Sequence, residues 1–529
     1  MKRWNGWGNT HIDAPLPSLA DQFLADRIGP SSPPDDASFD DVLTTIPSSR
    51  LPSHPLITTD PAERLRHARG QSLPDWIALR SGTIPAFPDG VAYPISADQV
   101  KSLIQFAADT DTQLIPYGGG TSVVGHINAI ADSAPVLTVD LSRLDRLTQF
   151  DDMSHLATFG AGILGPNLEA QLRARGFTLG HFPQSFEFST LGGWVATRSS
   201  GQQSLHYGRI EDLFAGGHVV TPSGDLHLPP FPASAAGPDL RQLVLGSEGR
   251  LGIITDVTVR VSPLPEREDF HAIFFPSFDH GRDAVRALSQ AHLPLSMLRL
   301  STATETETNL TLAGHERFIT LVEQLLSVRG VKEEKSMLMM GLTGSTRQVR
   351  AARKEAFAIT SQYGGVHVGR GFGKQWAKGR FRTPYLRNSL WDKGYAVDTL
   401  ETAVTWDRVP ATIAAIEDAL HNTLATDDER CHVFTHLSHI YSSGCSIYTT
   451  YLYRLHDDPA VNLDRWQRMK TAASQAIVAN NGTISHQHGV GHDHAPYLPA
   501  EKGELGMQTL TNLTHQFDPQ QFMNPGKLV

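Results

Sequence analysis

The chain has 529 residues, 40% hydrophobic and 19% charged, with a formal net charge of −10 and two cysteines. That length exceeds one ordinary core and implies two or three domains, while the acidic balance leaves no basic surface for polyanions and excludes nucleic acid as a partner. Cys431 and Cys445 make neither a disulfide framework nor a thiolate zinc cluster, which points to a reducing compartment, the cytoplasm.

The opening MKRWNGWGNTHIDAP has two basic residues with no apolar run behind them, so it does not read as a secretory signal. No stretch reaches the ~18 apolar residues of a membrane span, although contact with a membrane face needs no span. Residues 28–60 are rich in Pro, Ser and Asp, which rules out a long regular element. Residues 1–90 therefore read as a helical and irregular segment. From Pro94 the pattern changes: ISADQVKSLIQFAADTD has helical spacing, QLIPY is a short strand and GGGTS a glycine turn. APVLTVDLSRL, LATFGAGIL, AGGHVVTPSG and GIITDVTVRVSPLP read as strands with a helix, GPNLEAQLRARG, among them. They make residues 91–265 one unit. EDFHAIFF to SMLRLS reads strand, helix, strand, and TAVTWDRVPATIAAIEDALHN repeats the strand and helix. Residues 266–500 are thus expected to form a second sheet domain covered by helices on one face. The turn-rich DPQQFMNPGKLV, within 501–529, reads as a tail pinned onto the earlier domain. The fold class is α+β.

PYGGGTSVVGH, Pro116 to His126, sets three glycines directly after a strand. Glycine reaches backbone conformations closed to other residues and exposes N–H groups that wrap a pyrophosphate. The loop matches neither GxGxxG nor GxxxxGK[ST], and alone it is equally explained as a tight turn. Gly192-Gly193 and Ser199-Ser200-Gly201 can approach the same extended cofactor from the other side. VLGSEGRLGIIT sets Glu248 among Gly246, Gly249 and Gly252. Near the end, TISHQHGVGHDH, Thr483 to His494, holds four histidines in twelve residues. The spacing of His486 and His488 puts two imidazoles on one face of a strand, which suits zinc or nickel as well as acid/base work.

The succession of PYGGGTSVVGH, GAGI, STLGGWVATRSSGQ with YGRIEDL, and LGSEGRLGIIT resembles FAD-binding enzymes of the vanillyl-alcohol-oxidase (PCMH) type over nearly the whole chain. Within that group, KRWNGWG, PQSFEFSTLGGWVATRSSG and TWDRV are similar to the alkylglycerone-phosphate synthase family. The resemblance implies a two-subdomain FAD-binding domain plus an α/β cap, with the active site between them. It implies that the loop after Pro116, through Gly118, Gly119, Gly120, Thr121 and Ser122, holds the FAD pyrophosphate. Pro183, Ser189, Thr190, Gly193, Thr197, Ser199 and Gly201 would line the cofactor, and Glu248 and Ile254 would lie near its adenine and ribose. Members that tether flavin covalently use His or Cys at set positions, and neither stands in GGGTS, so non-covalent FAD is expected.

On the substrate side the resemblance assigns Arg387, in Tyr385-Leu386-Arg387-Asn388, to a phosphate or flavin contact. Arg299, in SMLRLS, is assigned to phosphate or to bracing; a guanidinium pairs phosphate oxygens with its planar fork and keeps its charge. Tyr448, in GCSIYTTYLY, matches the family's catalytic tyrosine. A phenol titrates near pH ~10, so neighbouring groups are expected to lower it, with His486 and His488 as those neighbours and as acid/base residues. Tyr451 and Tyr453 read as packing residues, and His492 and His494 as surface residues. The family has three consecutive histidines before GVG, whereas this chain has Gln487 in the middle. Related flavoenzymes that oxidise 2-hydroxy acids place a metal-holding glutamate there; an amide is a poor hard-metal ligand, so no metal is expected. The implied activity exchanges the acyl group of acyl-dihydroxyacetone phosphate for a fatty alcohol in ether lipid synthesis, with a lipid substrate, peripheral membrane contact and a homodimer. The alternative, encouraged by Gln487, is an FAD-linked dehydrogenase oxidising glycerol 3-phosphate or a small 2-hydroxy acid with a quinone or other acceptor.

Overall fold

The structure, a computed structural model, describes residues 1–529 apart from 132–133 and 313–315, and apart from the side chains of 316–321. Helix Ala97–Thr110 buries Val100, Leu103, Ile104 and Ala107 along one face, and Ser96 caps it by accepting from Gln99 N. It packs on a four-stranded sheet. There Gly90–Ala92, Val136–Asp140 and Gln113–Tyr117 run parallel, and Ile57–Thr58 joins antiparallel. A five-stranded antiparallel sheet follows, in the order Leu147–Asp151, Leu156–Gly160, Ile253–Arg260, Phe214–Thr221, Gly224–Leu228.

The third large sheet is antiparallel throughout, in the order Val366–His367, Arg267–Phe275, Ser336–Gly344, Leu295–Ser301, Cys431–Ile440, Gly444–Arg454, Tyr395–Thr405. Strand alternation divides its side chains. Leu298, Leu300, Leu338, Met340 and Ile447 pack with the helices Phe278–Gln290 and Thr346–Gln362. Met297, Arg299, Met339, His436 and Tyr448, on the opposite face, line a cavity. The expectation of helices on one face only is corrected at one end of this sheet. Phe270, Ala272 and Phe274 bury on the cavity-side face against Leu310 of helix Ala303–Leu312 and Val322 and Leu326 of helix Glu316–Val328. The run FHAIFF is apolar on both faces, and a strand of that kind needs cover on both.

Both chain ends tie the units together. Trp7 N donates to Asn388 Oδ1 at 3.0 Å and Asn388 Nδ2 donates back to Trp7 O at 2.9 Å, while Lys2 Nζ donates to Gly119 O at 2.6 Å. At the other end Leu114 N donates to Phe522 O (2.9 Å) and Asn524 N to Leu114 O (2.7 Å), so the C-terminal segment lies along the strand that leads into the three glycines. Tyr451 and Tyr453 are fully buried in the core behind the cavity face.

Candidate active site

One cavity of about 1240 Å³ lies between the first two sheets and the third. Its first wall is made of backbone. Gly120 has φ +70°, and a Cβ on Gly119 would stand 1.6 Å from Phe188 O, so this turn closes only without side chains. Pro116, Gly118, Gly119, Gly120, Thr121, Ser122, Pro183, Ser189, Thr190, Gly193, Thr197, Ser199, Glu248 and Ile254 all line the cavity. Gly201 does not line it; a Cβ there would meet Phe182 N at 2.7 Å, so this glycine serves a close backbone crossing. Thr190 caps helix Leu191–Thr197 by accepting from Gly193 N, and Ser189 Oγ accepts from Trp194 Nε1 at 2.7 Å.

Glu248, a non-glycine residue at φ 53°, turns its carboxylate onto the loop that follows His488, accepting from Val490 N (2.5 Å) and Gly491 N (2.8 Å). His126 Nε2 stands 3.2 Å from the same carboxylate, and its Nδ1 is 2.8 Å from Ser122 Oγ. The glycine loop and the histidine loop are therefore joined through Ser122, His126 and Glu248.

A second carboxylate shapes the histidine loop itself. Glu401, buried in strand Tyr395–Thr405, accepts from Ser485 Oγ (2.7 Å) and from the backbone N–H groups of His486 (2.7 Å), Gln487 (3.1 Å) and His488 (3.0 Å). Sequence reasoning missed Glu401, one of two acids, with Asp398, in that strand. The loop turns around it, so His486 and His488 do not share a face. His488 lines the cavity and His486 does not. Arg209 Nη1 reaches His486 Nε2 at 2.7 Å, as does the Tyr441 hydroxyl, and Arg209 Nη2 donates to His486 O at 2.8 Å. Because arginine only donates, Nε2 is the acceptor and the ring proton sits on Nδ1. Burial, with His439 and Arg209 beside it, holds His486 well below the usual histidine range. The expected acid/base role of His486 is corrected on these grounds to a neutral, structural imidazole. His492 is exposed, but His494 is buried with Nδ1 2.9 Å from Gly489 O, which corrects its expected surface position: the GVG turn folds it back inward.

The cap wall is made of side chains. His436, Tyr448 and Glu401 stand directly opposite one another on three adjacent strands. The Tyr448 ring stacks on His436 (5.0 Å, 21°) and meets His488 edge-on (5.9 Å, 81°). Burial pushes the Tyr448 phenol up to about 12 despite the Thr399 hydrogen bond and Arg387. The expected lowering is thus corrected: at neutral pH Tyr448 is a protonated donor. Burial also pushes His488 down, against Glu401, which leaves it a neutral imidazole able to accept a proton.

The two arginines part company here. Arg299 Nη2 donates to buried Glu305 at 2.7 Å, and His436 Nδ1 is 2.9 Å from the same oxygen; burial would raise Glu305, but Arg299 and His436 hold its carboxyl at about 2. Arg299 lines the cavity with its charge already matched. Arg387 lies over Trp76 (4.6 Å), donates to Gln71 O at 2.6 Å, and keeps Nη2 buried without a protein partner among the described residues. A buried donor of this kind calls for an acceptor.

His486, His488, His492 and His494 form no metal-binding group. Among the described residues only His218, Asp225 and His227 bring three suitable atoms within 4.8 Å, and none of them lines the cavity. Their imidazoles stack face to face (4.3 Å, 2°), so the lone pairs do not converge, and Lys101 holds Asp225 at 2.6 Å.

Comparison with known proteins fits this geometry. Residues 88–228 match the FAD binding domain family, and residues 264–528 match the family of FAD linked oxidases, C-terminal domain. The chain belongs to the FAD-linked oxidase family. This FAD-linked oxidase is 31% identical to an alkyldihydroxyacetonephosphate synthase of Dictyostelium discoideum over 477 residues, 89% of this chain and 78% of that one. It is 26% identical to the mitochondrial D-lactate dehydrogenase [cytochrome] of Arabidopsis thaliana over 480 residues, 89% of this chain and 78% of that one. A solved structure of an alkyldihydroxyacetonephosphate synthase superposes with a TM-score of 0.84 at 27% identity, covering 99% of this chain and 98% of the other.

FAD is the cofactor of this family, and the residues present fit it. A Cβ on Gly118, Gly119 or Gly120 would collide with Thr190, Phe188 or Tyr117, so this stretch of the cavity wall stays bare backbone, the kind of loop that takes a pyrophosphate. Ser189, Thr190, Thr197 and Ser199 line the same cavity, as does Arg387.

Proposed function

We propose that this enzyme exchanges the acyl group of acyl-dihydroxyacetone phosphate for a fatty alcohol, using non-covalent FAD. The observation that carries the reading is the mixed character of the cavity. Arg387 with its free Nη2, Tyr448 and His488 share it with Leu16, Phe23, Leu24, Phe434 and Leu452, which gives a polar head and a fatty chain room side by side. Arg387 pairs the substrate phosphate, neutral His488 accepts the proton from the carbon that bears the ester, and Tyr448 hydrogen-bonds as a protonated phenol. FAD, when bound, supplies the electron sink that this carbon needs. The fatty acid departs as carboxylate, the alcohol oxygen bonds to the same carbon as its hydroxyl proton passes to solvent, His488 returns the carbon's proton, and no net electrons change hands. The same reading has the enzyme meet its substrates at a membrane face; no helix among the described residues is long and apolar enough to cross one.

Oxidation of glycerol 3-phosphate or a small 2-hydroxy acid is the second reading. Gln487, whose Oε1 has no protein partner although the residue lines the cavity, and the 26% identity with a D-lactate dehydrogenase favour it. The test is an anaerobic mix of the yellow protein with palmitoyl-dihydroxyacetone phosphate and hexadecanol, or with glycerol 3-phosphate. Release of palmitate with uptake of hexadecanol is the expected result; bleaching by glycerol 3-phosphate, reversed by a quinone, would replace the first reading with the second. Tyr448→Phe is expected to abolish turnover while keeping FAD bound.

A further inference from the structure

Strand Cys431–Ile440 pairs regularly with its neighbour as far as Ser438 opposite Ser446, and then slips so that Ile440 faces Cys445. His439 is the extra residue of that bulge, at φ 45°. A bulge re-aims a side chain, and a bulky residue in the left-handed region persists only where its surroundings over-determine it. Simple alternation would set residue 439 with Leu437 on the helix-covered face; the bulge instead turns His439 into the cavity. There its Nδ1 lies 2.9 Å from Ser200 Oγ and 3.2 Å from Ser204 Oγ, just beyond the cofactor-facing Ser199. The ring centroid is 5.1 Å from that of His486, the imidazole fixed by Arg209. Burial, with Arg209, His436, His181 and His488 around it, pushes His439 down to about 3, so the ring is neutral.

One nitrogen is clamped by two hydroxyls, while Nε2 has no protein partner among the described residues. The residue lines the cavity, and a ring nitrogen without a protein partner there is open to a polar ligand atom. We propose that His439 is a further substrate-contacting residue, hydrogen-bonding through Nε2 to the oxygen-rich head of the bound substrate. The proposal rests on the functional reading above only for the identity of that head.

The test uses His439→Asn, because Asn tolerates the left-handed backbone and can still meet Ser200 but cannot reach as far as Nε2. Flavin absorbance of the holoenzyme is titrated with dihydroxyacetone phosphate, glycerol 3-phosphate and D-lactate, without turnover. Affinity for the head that the wild type binds should weaken about tenfold, the scale of one buried hydrogen bond, with FAD content and melting temperature kept. Ser200→Ala, which loosens the ring but leaves Nε2, should weaken it less. Equal affinity in wild type and His439→Asn overturns the proposal. So does loss of FAD in both His439→Asn and the strain-free His439→Gly, which would make the residue structural. Binding of D-lactate alone by the wild type would revise the head group, and the comparison is then read on lactate; a wild type that binds none of the three overturns both readings.

Discussion

The two walls of the cavity are built by opposite means. The wall formed by residues 116–122 and 189–199 is glycine-rich backbone with small hydroxyl side chains between: it closes because Gly118, Gly119 and Gly120 have no room for a Cβ. The cap wall is side chains on alternate strand positions, from Met297 and Arg299 to Tyr448, held in place by buried carboxylates on the same sheet or beside it. A backbone wall can hold an invariant cofactor, since it offers only N–H groups and shape.

The contrast can be broken most severely at Gly119. Gly119→Ala forces the Phe188 carbonyl to move by more than an ångström-scale adjustment of rotamers can absorb. Overpacking of this kind costs about 1–3 kcal/mol, and here it falls on the cofactor loop, so FAD content of the purified protein should drop roughly tenfold or more. A full complement of FAD in this variant, read from the visible spectrum, would show that the first wall does not depend on bare backbone. On the cap side the corresponding change is Glu401→Gln. One oxygen becomes an NH₂ group facing the N–H groups of the 486–488 loop, and each donor left without an acceptor costs about 1–3 kcal/mol. Turnover should fall on the order of a hundredfold through misplacement of His488, while FAD stays bound. Unchanged turnover would mean that the loop is positioned by Glu248 and Arg209 alone.

The same contrast decides what could be read from the sequence. The glycine and small-residue runs at Gly118 to Ser122 and Ser189 to Ser199 stood out locally, but only the family resemblance pointed them at one cavity, which they line. Gly201 belonged to the same run yet serves a chain crossing with Phe182, which local sequence does not reveal. Tyr448, His488 and Arg387 were legible only through family resemblance. Glu401 was not legible, because its partners lie 84 to 87 residues away along the chain. His439 was hidden by a register slip that depends on the neighbouring strand, and His486 was misjudged because H-x-H alternation assumes a strand where the chain turns around a carboxylate. Strands such as Gln113–Tyr117, Val136–Asp140, Leu156–Gly160, Phe214–Thr221, Ile253–Arg260, Arg267–Phe275 and Leu295–Ser301 followed from the sequence pattern; strand Ser336–Gly344 and the second layer of helices over Phe270 and Phe274 did not, since an apolar run does not say what covers each face.

The smallest expected effect on activity concerns Arg299, and it sharpens the division within the cap wall. Arg387 has a free donor, whereas Arg299 is matched by Glu305. Arg299→Met should therefore change substrate affinity little but destabilise the fold by about 3–5 kcal/mol, because it leaves the buried Glu305 carboxylate with only His436 beside it. The double change Arg299→Met with Glu305→Gln removes both charges and should recover most of that loss. The pH dependence runs with the same pair. The Glu305 carboxyl is held at about 2, below its ordinary 4.5, so the unfolded chain binds its proton first. Its contribution to stability is complete above about pH 4.5 and is lost as pH falls toward 2. Thermal melts of wild type and double variant between pH 6 and the onset of acid unfolding should therefore converge as acid is added; parallel curves, or a large rise in KM for Arg299→Met, would move Arg299 from the brace to the substrate.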